Sequence, residues 1–245
     1  MEISESFISH KFTPLDNYCW DNLESSTFYF SAPEKLNDPA DCQINLAKAF
    51  HLARVNQQFN YSHQDEQFFM KFARDVEDRA RTCGVLSLCS GSIDGDKERL
   101  LWAHYAKNHA GICLTFKIPY TFVIKHLIGC AKVQYTPDAL YDALRRLNIS
   151  GNPDFDTEIK PIVTAFLTTK SPEWAYENES RLISFAPCLL EFDRSWLSQI
   201  CFGLRTSDVD RARVRELATK YPNCSLVEAV NSENDLFRLT LRKIQ

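Results

Sequence analysis

Two stretches of this chain carry side chains able to do chemistry. RLLWAHYAKNHAGIC runs from Arg99 to Cys113, and KSPEWAYENESRLISF runs from Lys170 to Phe185. The first brings together Trp102, His104, Tyr105 and His109; the second brings together Trp174, Glu177, Glu179 and Arg181. Imidazoles and carboxylates exchange protons, guanidinium groups grip phosphate, and aromatic faces stack on planar rings. At 3.6 residues per turn, Trp102, Tyr105 and His109 share one helical stripe, and Leu101, His104 and Asn108 share the next. A face at once aromatic and polar suits a pocket lining. For Trp102 and Tyr105 simple packing weighs about as much as ligand stacking, and either histidine can be a satisfied core residue. The five-residue step from His104 to His109 is not the i, i+4 spacing of helical zinc ligands, so no metal is expected. As an acid and base near Arg181 and Lys170, the two histidines would serve a metal-independent nuclease or phosphotransfer enzyme. If the chain is extended from Tyr176, Glu177, Glu179, Arg181 and Ile183 point to one side. The plain alternative is a solvated strand face with an ion pair worth at most about 1 kcal/mol.

These groups need elements to hold them. Asp94, Gly95 and Asp96 offer turn and cap residues before the first stretch, and Gly111 stands where a left-handed residue would end its helix. Ile112 to Ile118 alternates as a half-buried strand. Upstream, Ser6 to Phe12 reads as an opening strand with His10 and Lys11 at its end, and Phe28 to Ser31 reads as a second. The corner Asn37-Asp38-Pro39 follows. Asn37 and Asp38 can fold back on their own backbone, or they can present polar groups to a ligand. Helical spacing fills Ile44 to Arg81, with its phenylalanine stripe as core, and Val85 to Cys89 is a buried strand. A short strand near Lys132 to Tyr135, a helix over Asp138 to Leu147 and a loop over Asn148 to Pro153 come next. Phe155 to Phe166 is helical, but Pro161 forces a kink or a late start. Ser171 and Pro172 suit a helix start. Strand 200–204, an Asp-capped helix 208–220 and strand 225–229 form a βαβ-like unit, and 236–241 is a terminal strand. The expectation is a single α+β domain over 1–245, with short mixed strands in small sheets packed with helices.

Composition narrows the function classes. A formal charge of -4 and a pI near 5.9 give no broad attraction to nucleic acid. No signal-like or membrane-spanning apolar run is evident, so a cytoplasmic protein with no membrane partner is expected. Nine scattered cysteines without close pairs point to free thiols. None of the seven glycines builds a Walker or dinucleotide fingerprint.

Taken together, FYFSAPEKLNDPADC, WAHYAKNHAGICLTF, KSPEWAYENESRLISF and ICFGLRTS resemble the bacterial family known as domain of unknown function 2971, from about Phe7 to the C-terminus. Ala40 and Ser180 depart from its pattern, which tends to a larger residue and an aromatic there. The chain is also similar to ADP-ribosyltransferase folds. These carry a His or Arg on an early strand, an aromatic or Ser on the next, and a late Glu-x-Glu. Here the matching residues are His10 (or Lys11), Tyr29 and Ser31, and Glu177-Asn178-Glu179. That resemblance implies NAD as substrate. Glu179 would bind the ribose beside an oxocarbenium-like transition state, Glu177 would activate the acceptor, and His10 would hold the adenosine side. Trp102, Tyr105 or Trp174 would stack on a ring and Arg181 would meet a phosphate. ADP-ribose would pass to a protein, a nucleic acid or water, as in a toxin or phage-defence component. The remaining alternatives are the histidine-dependent enzyme and a non-catalytic nucleotide-sensing or partner-binding module.

Overall fold

The computed structural model describes residues 6–55, 63–91, 93, 98–126, 129–147 and 154–244, without the side chains of 53–55 and 63–67. Its scaffold is an eight-stranded sheet. The elements follow in chain order: β1 (Ser6–Thr13), α1 (Asn17–Ser25), β2 (Thr27–Phe30), α2 (Leu46–Val55), α3 (His63–Arg81), β3 (Gly84–Cys89), α4 (Glu98–Tyr105) and β4 (Ile112–Pro119). Then come α5 (Tyr120–His126), β5 (Gly129–Lys132), α6 (Asp138–Arg145), α7 (Lys160–Thr168), β6 (Glu179–Ser184), β7 (Cys188–Glu191), β8 (Leu197–Phe202), α8 (Asp208–Ala218), β9 (Ser225–Asn231) and β10 (Leu239–Lys243). The strand order is β10-β9-β8-β4-β1-β3-β6-β5, and β2 and β7 form a separate ribbon. Neighbours run antiparallel except β8 and β9, whose parallel pairing across α8 is the βαβ unit that the sequence indicates. No described helix is long and apolar enough to cross a membrane.

Residues paired across a ladder project to the same face, so the registers define two faces. Leu86, Leu88, Leu182, Leu114, Phe116 and Ile200 lie on one, in a continuous apolar cluster under α1, α8 and the β2–β7 ribbon. The other face has two clusters. One packs α2, α3, α6 and α7 over Val85 and Ile183. The second sets Trp102 and Leu101 of α4 against Phe12, Cys113, Cys201 and Val227. Between them, on the same face, run His10 of β1, Ser87 and Cys89 of β3, and Glu179 and Arg181 of β6. β1 pairs with β4 along its whole length but meets β3 at a single register pair, His10 with Cys89. The ammonium of Lys11 crosses that gap to the carbonyl of Ser87 at 3.4 Å.

Several local expectations need correction. Gly111 does not end α4 with a left-handed φ; Lys107, Asn108 and His109 take positive φ instead. Gly111 is required by space, since a Cβ there would lie 2.2 Å from the carbonyl oxygen of Thr13. The strand read near Lys132 to Tyr135 is β5, three residues earlier at its start, and Gln134 adds only an isolated bridge to Thr169. At Pro161 the expected late start is what forms: the proline sits in the first turn of α7, directly after a π-helical turn at Phe155–Ile159. The cap of α8 is Ser207, whose hydroxyl accepts from the Asp210 amide at 3.1 Å. Asp94 to Asp96, read as cap residues, and the loop 148–153 lie outside the described residues.

Candidate functional site

The site begins where α7 delivers Lys170 to the sheet. Pro172–Glu177 forms a short 3-10 helix rather than a strand, and Asn178 then takes φ 43° to turn the chain into β6. Asn tolerates this left-handed conformation because its short amide bonds locally. Its side chain donates to the carbonyl of Ser90 at 2.6 Å, and its own carbonyl accepts from the Ser90 amide at 2.9 Å. The expected extended run from Tyr176 is therefore broken at Asn178. Glu177 reaches the cluster from the 3-10 turn, while Glu179 and Arg181 share a face of β6.

Arg181 is 0% exposed. Its Nε and Nη2 donate to the carboxylate of Glu179 at 2.7 and 3.0 Å, and its Nη1 and Nη2 donate to the two oxygens of Asp41 at 2.9 and 2.5 Å. The fifth N–H reaches the carbonyl of Leu167 at 2.6 Å. No donor is left for a phosphate, so the phosphate role expected for Arg181 is corrected. It is the buried clamp that holds two carboxylates in place. Lys170 complements it, with Nζ 2.5 Å from Glu177, 3.3 Å from Glu179 and 3.5 Å from Asp41. The same ammonium lies 4.9 Å from the centre of the Trp174 ring.

The two glutamates differ in environment. Burial works against ionisation of Glu179, but Arg181, Lys170 and the Ser87 hydroxyl outweigh it and bring its carboxyl down to about 2. Burial dominates at Glu177 and raises its pKa against the opposing bonds from Lys170 and Tyr105. Lys170 is held up at about 12, because three carboxylates overcome the burial that would lower it. The phenol of Tyr105 donates to Glu177 and accepts from the Asn37 amide at 3.2 Å. Burial and Glu177 together raise its pKa.

His10 stands across the gap. The registers His10 with Cys89 and Cys89 with Glu179 put these three side chains in one row over β1, β3 and β6. His10 lies within β1, not at its end. Nε2 donates to the carbonyl of Gly91 at 2.8 Å and Nδ1 accepts from the Thr115 hydroxyl at 3.0 Å, a tautomer assigned from those partners. Burial lowers its pKa despite the Gly91 bond, so the ring is neutral near pH 7. Together with Asn37, Tyr105, Glu177 and Lys170, the row encloses a cavity of about 80 Å³. Lys11 also borders it, with a pKa lowered first by burial.

The structure thus unites His10, Asn37, Tyr105, Glu177, Glu179 and Arg181, with Trp174 beside Lys170. It places the other candidates elsewhere. Tyr29 sits on the β2–β7 ribbon opposite Leu189, and Ser31 bridges to Val85, so neither joins the glutamates. Asp38 accepts from the amide of Ala40 at 2.9 Å, the backbone-turn role. Trp102 is 0% exposed, edge-on to Phe12 at 5.1 Å, and closed to a ligand ring. His104 is exposed among the rings of Tyr105, Trp174 and Tyr176. His109 stacks beside Trp102 at 6.1 Å, and its carbonyl accepts from the Arg205 amide. The two histidines have separate ring neighbours, His109 beside Trp102 and His104 beside Tyr105, Trp174 and Tyr176. Sequence reading missed Asp41, Thr115 and the direct bonding role of Lys170. An arginine directly before Leu182 and Ile183 of β6 was the available signal, because a guanidinium buried with them needs carboxylates to pair with.

Residues 101–182 match the family described as a protein of unknown function (DUF2971). The matched segment spans α4 to β6 and includes Tyr105, Lys170, Glu177, Glu179 and Arg181. No curated protein and no solved structure matches the chain.

Proposed function

We propose that this chain, with the DUF2971 match across its charged cluster, cleaves the N-glycosyl bond of a nucleotide. NAD is the substrate, and ADP-ribose passes to an acceptor or to water. The observation that carries this reading is the row His10, Cys89 and Glu179 over three adjacent strands, closed by Glu177 around one cavity. It keeps the order of groups that the likeness to ADP-ribosyltransferases implies, without Tyr29 and Ser31.

In the reaction the bond from ribose C1′ to the pyridinium nitrogen breaks, and its electron pair leaves with neutral nicotinamide. The ribosyl centre becomes oxocarbenium-like and is attacked by an acceptor oxygen, whose proton must go to a base. Glu177 is that base. Among the described residues, two of the roughly four acceptor positions of a carboxylate are taken, by Tyr105 and Lys170. Glu179 is saturated by Arg181, Lys170 and Ser87. It acts as a positioning residue that keeps Lys170 against Glu177 and fixes negative charge beside the developing cation. His10, neutral and held at both nitrogens by Thr115 and Gly91, closes the far wall of the cavity as a fixed, uncharged surface for the substrate.

The test is nicotinamide release from NAD by the purified chain, with and without cell extract, followed by chromatography. Glu177→Gln is expected to lower the rate about 100-fold or more, the size of a lost acid–base group. A folded protein that releases no nicotinamide in either condition overturns the proposal.

A further inference from the structure

The cavity beside Glu177 is too small for a dinucleotide. Its volume of about 80 Å³ equals only a few waters at about 30 Å³ each. A second concavity of about 420 Å³ lies on the other side of Asp41 and Lys170, within the usual range for small-molecule sites. Both spaces are lined by Asp41 and Lys170, whose side chains are 2% and 3% exposed. This ion pair is a wall shared by the two spaces, so they lie side by side.

The chemistry of the groove is specific. Ile44, Ala49 and Leu140 give it an apolar floor, and half-buried Tyr135 adds an aromatic side. The Tyr135 hydroxyl accepts from the Glu179 amide at 2.9 Å, which joins this side of the groove to the strand that carries the charged cluster. Asp38 and exposed Lys48 also line it. The Ala40 amide engages one oxygen of Asp38, and among the described residues the other has no hydrogen-bond partner.

We infer that this groove binds a nucleoside monophosphate, the half of the dinucleotide remote from the scissile bond. The planar base lies on the apolar floor beside Tyr135. The free oxygen of Asp38 accepts from a ribose hydroxyl, and Lys48 meets the phosphate. The inference rests on the nucleotide-cleaving function and adds where, and by which groups, the rest of the substrate is held.

The experiment is calorimetric titration of the full chain with AMP, adenosine and inorganic phosphate, repeated on two exposed-site variants. Lys48→Glu is expected to weaken AMP about tenfold and leave adenosine unchanged. Ala40→Trp, which fills the groove from its edge, is expected to weaken both about tenfold. AMP that does not bind the wild type, or binds both folded variants as well as the wild type, overturns the inference. The two proposals fail separately. Nicotinamide release that AMP does not inhibit removes the groove and keeps the reaction; groove-dependent AMP binding without nicotinamide release does the reverse.

Discussion

The two faces of the sheet solve the same packing problem by different means. Under the β2–β7 ribbon, Phe116 meets Phe28 and Phe192 with ring centres 4.9 and 5.2 Å apart, and the surrounding face is mostly apolar, with Ser9 and Lys11 of β1 as its polar side chains near them. On the opposite face, two apolar clusters are separated by a belt in which Asp41, Glu177 and Glu179 meet Lys170 and Arg181. Packing alone would be served better by hydrocarbon, because burying ions costs more than their attraction usually returns. The apolar face shows what this chain does where only stability is at stake. The belt departs from it next to the one small cavity that those charges line, and that contrast marks the site.

The largest effect expected comes from breaking the belt. Arg181→Met leaves Asp41 and Glu179 buried without their clamp and should cost about 3–5 kcal/mol, measured by urea unfolding at neutral pH. Phe116→Ala on the other face should also cost about 3–5 kcal/mol, through the cavity it opens. Acid separates the two. Glu179 has a folded pKa of about 2, below its ordinary 4.5, so its contribution is present above 4.5 and is lost as pH falls towards 2. Phe116→Ala should retain that acid-dependent loss, while Arg181→Met should lack most of it. Equal acid slopes in both variants would show that the belt contributes no distinct electrostatic stability.

A smaller effect sharpens the assignment of roles within the belt. Tyr105→Phe removes the phenol that donates to Glu177 and should cost about 1–2 kcal/mol in unfolding experiments. That bond opposes the upward shift of Glu177, so its loss should raise the pKa of Glu177 further. An unchanged titration of this carboxyl would separate Tyr105 from it. The smallest effect expected is that of Ser31→Ala, whose hydroxyl, among the described residues, bonds only the neighbouring Ala32 carbonyl at 3.2 Å. Its stability should stay within about 0.5 kcal/mol of wild type, and any nicotinamide release should be unchanged.

Local pattern revealed much of the scaffold. The strand over Ile112 to Ile118, the phenylalanine stripe of α3 and the βαβ ending follow from periodicity and form close to the expected bounds. But β4 is buried on both faces rather than half-buried, because Cys113 and Thr115 are covered as well as Ile112 and Leu114. The site was legible only where its residues are neighbours in sequence. Glu177, Glu179 and Arg181 could be grouped by eye, but Asp41 lies 140 residues from Arg181 and Thr115 lies 105 from His10. No local spacing announces such partners. Trp102 and His109 illustrate the converse. Residue types that suit a ligand pocket were used to seal α4 against the sheet, because burial depends on which side of a helix meets β1. The left-handed turn at Asn178 was also hidden, so a flat strand stood in for a bend.

The position of β1 has a consequence for how the molecule forms. This strand lies between β3 and β4, and its full-length ladder is made with residues roughly a hundred positions further along the chain. Closing so long a loop loses chain entropy before any ladder bond is gained, and such non-local pairings slow folding. Until β4 arrives, Phe12 and its neighbours have no sheet to enter, and the unpaired strand offers an edge to other chains. Completion of the row His10, Cys89 and Glu179 must wait for the same event, since His10 reaches it only after β1 is in place.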